Sequence, residues 1–160
     1  MIYKSYMSKN IILKTDQFNI DDVYFCEPNK NNIMNEGNFI RLLYSTELFT
    51  LNGIYLLLPI NNIGSEKYFN KYKYIFDCKQ HHTLIEKISN IEKDILTKLQ
   101  IKKTPHYKIQ SQLYNGNIKI INDLFDSNDN YLLLKISGIW ETDNEFGITY
   151  KFIPVKQDKL

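Results

Sequence analysis

Few residues in this chain have types and spacings that could do chemistry, and most of those fail on geometry. His81 and His82 are adjacent, so on a helix their side chains diverge by about 100° and cannot converge on one metal in the usual way. His106, beside Pro105, could touch a phosphate, although a lone histidine is more often structural. Cys26 and Cys78 show no CxxC or other ligand spacing, and one isolated pair does not imply a disulfide, so both read as reduced core thiols. Glu141, Asp143 and Glu145 cluster in "ETDNEF", where they could hold a cation, but a solvated hairpin tip is the simpler reading. There is no glycine-rich phosphate loop, no nucleophile elbow and no HExxH. The expectation is a protein that is not an enzyme, needs no metal or cofactor, and works by binding.

Charge and aromatic content say what it would bind. Of the 20 basic and 18 acidic residues, 16 and 11 fall between Met1 and Lys119, leaving 4 and 7 for the rest, so the excess of positive charge lies early. The densest basic run holds Lys98, Lys102, Lys103, Lys108 and Lys119 with no carboxylate among them. Such a run offers a polyanion a foothold, against the plainer account of a solvated loop and strand face. In the last third of the chain, alternation sorts side chains into two rows. Ile109, Leu113, Ile118, Ile120, Leu132, Leu134, Ile136, Ile148, Tyr150 and Phe152 form the apolar one. Lys108, Gln110, Gln112, Lys119, Lys135, Ser137, Thr149 and Lys151 form the other. A sheet face with lysines at alternate positions and aromatics at its rims suits single-stranded nucleic acid, whose phosphates need charge and whose bases need a flat partner. The candidate contacts are Lys108, Lys119, Lys135 and Lys151, expected from four different strands along one groove, with Tyr107, Tyr114 and Trp140 for stacking. For Trp140 a core role, plugging a barrel end beside Gly138, is the competing and slightly favoured reading.

The elements that must position these residues follow from periodicity. At 160 residues, with 12 Tyr and 9 Phe, the chain is long enough for one domain spanning 1–160 and suits a strand-rich fold. "NIILKT" and "DVYFCE" suggest one or two short strands, followed by a loop and the strand-like "FIRLLYS". "NGIYLLLPI" is a continuous apolar run, expected to be a strand buried on both faces, and "YFNKYKYIFDC" alternates in its second half. From Gln80 to Gln100, Leu84, Ile85, Ile88, Ile91, Ile95 and Leu99 recur at helical spacing, with Glu86, Lys87, Glu92, Lys93, Asp94 and Lys98 mostly elsewhere. Beyond Pro105, "HYKIQSQLYNGNIKIIN" reads as a hairpin around Asn115-Gly116, and "YLLLKISGIW" with "GITYKFIPV" as a second, with a bulge or close approach at Gly138. The fold class is mainly β, with one long helix: a small, closed or nearly closed antiparallel barrel of the OB-fold type, with a jelly roll or other sandwich as the alternative. The first 20 residues lack a signal-peptide core and the longest apolar run is too short to span a bilayer, so a soluble, intracellular protein is expected.

A helix followed by "PHYKIQSQL" and then "YLLLKISGIWETDNEFGITYKFIPVK" resembles the C-terminal half of the predicted single-stranded DNA-binding proteins of nucleocytoplasmic large DNA viruses. These are similar in turn to the T-odd phage type of replication protein, an OB-fold. "KISGIW" and "FGITYKF" carry the resemblance, which covers roughly residues 104 to 156. It implies a single-stranded DNA-binding protein of viral replication or recombination, acting in the infected host cell. Viral replication proteins and a second copy of the chain are the candidate protein partners. The phage-type proteins end in an acidic tail, whereas this chain ends "PVKQDKL", which puts tail-mediated regulation in doubt. The alternative function is a structural or assembly protein of a large DNA virus particle.

Overall fold

A computed structural model describes residues 11–30, 37–121 and 131–156. In chain order the strands are β1 (Ile12–Lys14), β2 (Val23–Phe25), β3 (Asn29–Lys30), β4 (Asn38–Ser45), β5 (Thr50–Leu51), β6 (Ile54–Leu58), β7 (Gly64–Tyr68) and β8 (Lys71–Ile75). Helix α1 (His82–Lys98) follows, then β9 (Thr104–His106), helix α2 (Lys108–Tyr114), β10 (Asn117–Ile121), β11 (Tyr131–Glu141) and β12 (Glu145–Val155).

The fold is mainly β, as the alternation predicts, but its sheets are open where a closed or nearly closed barrel was expected. The larger sheet is built on the long hairpin of β11 and β12. The far edge of β11 is shared end to end: β6 pairs with Leu132–Ile136 and β4 with Gly138–Glu141. The register slips between Ile136 and Gly138, and this bulge falls where the partner changes from β6 to β4. The sheet is also mixed, because β1 joins β6 and β9 joins β12 in parallel. A second sheet holds β10, β8 and β7.

Helix α1 lies within the expected span. Its Ile85, Ile88, Ile91, Ile95 and Leu96 enter one core cluster with Leu42, Leu56, Leu134, Ile139 and Ile148 of the larger sheet and Tyr74, Ile118 and Ile120 of the smaller. Two assignments are overturned. The run "NGIYLLLPI" is not buried on both faces, because Ile54, Leu56 and Leu58 are buried while Tyr55 and Leu57 on the other side are half-buried. Residues 108–114 form a helix and not the first strand of a hairpin, so Lys108, Gln110 and Gln112 stand on no strand face. Ile109 and Leu113 are fully buried as expected, since a spacing of four residues serves a strand and a helix equally. The helix is stopped at Gly116, whose φ of +74° is left-handed and whose N–H bonds back to the Leu113 carbonyl. None of the described helices is long and apolar enough to cross a membrane.

Candidate nucleic-acid interface

Strand register fixes which side chains share the face of the larger sheet turned away from α1. Residues directly opposite one another point to the same side, so the pairings give rows across the sheet. At one end Phe39 on β4, Trp140 on β11, Gly147 on β12 and His106 on β9 are successive partners. The next row is Arg41, Gly138 and Thr149. Beyond the bulge come Ile12, Tyr55, Lys135 and Lys151, then Lys14, Leu57, Leu133 and Ile153. Among the described residues these four rows carry four cations and no carboxylate.

Each of three aromatics on this face has a cation above it. The Arg41 guanidinium lies 5.9 Å from the Phe39 ring centroid, the Lys108 ammonium 5.5 Å from Trp140, and the Lys135 ammonium 5.7 Å from Tyr55. These are cation–π distances. Arg41 is further oriented by a 2.8 Å bond from Nη1 to Asn52 Oδ1. Trp140 does not fill the interior. Its ring lies across Gly147, where a Cβ would stand 2.8 Å from Cζ2, and His106 tilts against it at 5.6 Å. Phe39 covers Gly138 in the same way, at 2.8 Å from a Cβ placed there.

The predicted site residues are therefore only partly brought together. Lys135 and Lys151 are direct cross-strand partners. Lys108 joins them from α2, by way of Trp140. Lys119 stands on the smaller sheet opposite Lys73, which is itself 3.5 Å from Glu66, so the expected track on four strands of one sheet is not formed. Tyr107 starts α2 and lines a cleft with Leu96, Ile101 and Phe146 on the helical side, while Tyr114 is exposed at the far end of α2. Reading the sequence missed Phe39, Arg41 and Tyr55. For Phe39 and Arg41 the signal was present in "NFIRLLYS", where Phe39, Arg41 and Leu43 alternate with the buried Ile40, Leu42 and Tyr44.

The basic run is dispersed by folding. Lys98 donates to the Ile20 carbonyl and lies over Tyr24, and Lys103 donates to Glu141 at 2.8 Å and to the Thr142 carbonyl. Glu141 is thus not part of a solvated tip. Its hydrogen bond from Lys103, with a second from Asn38, holds its carboxyl below the usual range despite burial. Glu145 lies 3.0 Å from His106. Among the described residues no group of three or more His, Cys, Asp or Glu side chains is placed to hold a metal. Cys26 and Cys78 are free and half-buried. The chain matches no protein-family model, and no curated protein or solved structure is significantly similar to it.

Proposed function

We propose that the chain binds single-stranded DNA with little sequence preference, through the open face of its larger sheet. The observation that carries this reading is the placement of Lys135 directly opposite Lys151, with Arg41 and Lys14 in the neighbouring rows and no acid among them. Like charges facing each other across strands cost stability, and no carboxylate shares the row of Lys135 and Lys151, since Glu145 at the end of this face lies against His106 and Asp16 interacts with Lys14. An anion from outside would neutralise them. The face is extended and open, which favours a polymer over a small anion needing an enclosed pocket. Its half-buried rings favour a strand whose bases are unpaired over a duplex whose bases are stacked away.

A setting in viral replication or recombination rests on the resemblance of the "KISGIW" and "FGITYKF" segments. So does the OB-like description of the fold. The long helix placed between runs of strands supports it, and the open, partly parallel sheet is its departure from a closed barrel. The apolar row of Leu57, Leu133 and Ile153 on the same face favours a second reading, an assembly protein of a virus particle that contacts other proteins there. Titration with an oligothymidine at two salt concentrations separates the two. Binding that weakens steeply with salt supports the first, and no binding at low salt puts the assembly reading in front.

A further inference from the structure

Two glycines of the binding face, Gly147 and Gly138, are each covered by an aromatic ring from the adjacent strand, and this governs how those rings are presented. A Cβ at Gly147 would lie 2.8 to 2.9 Å from three atoms of Trp140, and one at Gly138 would lie 2.8 and 2.9 Å from two atoms of Phe39. The rings rest where a side chain would otherwise stand, laid along the sheet instead of projecting from it. Phe39 and Trp140 are direct register partners, so the two platforms sit side by side. Above each ring is a cation, Arg41 at 5.9 Å and Lys108 at 5.5 Å. A flat π-face with a cation beside it offers a nucleotide a stacking surface for its base and a counter-ion for its phosphate.

We infer that Phe39 and Trp140 form a two-base platform, with Arg41 and Lys108 as its phosphate ligands, and that a bound strand runs across the β-strands with its backbone toward Lys135 and Lys151. The inference rests on the single-stranded DNA reading and adds base-stacking subsites to it. In the free protein Lys108 lies over the Trp140 ring and Arg41 over the Phe39 ring, so an arriving base displaces each cation toward the phosphate.

The test compares an eight-residue oligothymidine with an abasic oligomer of the same length and charge, bound to the wild type and to Phe39→Leu. Leucine keeps apolar cover over Gly138 and removes the π-face, and circular dichroism of the variant checks that it folds as the wild type does. The platform predicts that the wild type binds the oligothymidine at least tenfold more tightly than the abasic strand. It further predicts that Phe39→Leu loses on the order of tenfold on the oligothymidine alone. Equal wild-type affinity for the two oligomers overturns the platform and leaves the charge-based reading standing, as does an unchanged oligothymidine affinity in a folded Phe39→Leu. Failure of the wild type to bind either oligomer overturns the underlying reading as well.

Discussion

The carboxylate of Glu92, on α1 and 1% exposed, accepts the backbone N–H of Ile109 at 3.0 Å. Its second oxygen accepts the N–H of Gln110 at 2.9 Å. One buried acid thereby satisfies two of the four N–H groups left without partners at the start of α2, and fixes the helix that carries Lys108 toward Trp140. Burial raises the Glu92 carboxyl above its ordinary value of 4.5, with the two N–H bonds opposing. The same neighbourhood pushes the Tyr150 hydroxyl up to about 12, mainly through burial.

A raised carboxyl means that the folded chain holds this proton to higher pH than the unfolded chain. Glu92 therefore contributes a stability that is full below 4.5 and is lost as pH climbs through its raised folded value. Glu92→Gln removes that dependence and one of the two acceptors, at a cost of about 1 to 3 kcal/mol in acid. Urea midpoints of the two proteins should converge as pH rises. A gap that widens with pH would contradict the assignment.

The Lys103 and Glu141 pair has the opposite sign. Glu141 titrates below its ordinary 4.5, so the pair stabilises above that pH and its contribution is lost as pH falls through the folded value. Lys103→Met should cost about 1 to 3 kcal/mol at neutral pH and less in strong acid, where the bond to the Thr142 carbonyl is still lost but the ion pair no longer counts. A penalty independent of pH would mean that packing of the lysine stem, not its charge, is what matters.

In the core, Ile88→Ala should cost about 2 to 5 kcal/mol, because the side chain is fully buried between α1 and its neighbours. Leu84, only partly buried, should cost less on the same change. Thermal or urea denaturation of both variants checks the order.

Gly138 and Gly147 should respond differently to alanine. A Cβ at Gly138 would meet the Ile40 carbonyl oxygen at 2.2 Å, an obstacle of backbone that cannot swing away, so Gly138→Ala should not fold stably. At Gly147 the obstacle is the Trp140 ring, which can shift, so Gly147→Ala should fold with a loss of about 1 to 3 kcal/mol. Its tryptophan emission should move as the ring is lifted. Unchanged emission would show that the ring does not rest on Gly147.

How far the sequence could be read followed the strength of local patterns. The stripe of α1 and the β11 and β12 hairpin with its bulge at Gly138 were legible, because each repeats its period over many residues. Residues 108–114 were not. With only Ile109 and Leu113 to set the period, the pattern fits both element types, and the deciding contact is Glu92, 17 residues away in the chain. Glu92 itself was read as lying off the apolar stripe, since nothing local signals that a carboxylate will cap another helix. Lys135 and Lys151 could be placed on one face by alternation. Phe39, Arg41 and Tyr55 could not be joined to them, because that requires knowing that β4 and β6 share one edge of β11.

The central claim is that the cations of this one face hold the phosphates. The most direct measurement is the salt dependence of oligothymidine affinity in two charge-matched variants. One changes Arg41, Lys108, Lys135 and Lys151 to Gln, and the other changes Lys71, Lys79, Lys93 and Lys119, all exposed and outside the four rows. Each lysine or arginine that neutralises a phosphate contributes about 0.7 to the log-log slope on a single strand. The first variant should therefore lose up to about 3 from the magnitude of the slope, and the second should keep it. Equal flattening in both would show that net charge attracts the strand and that this face holds no site.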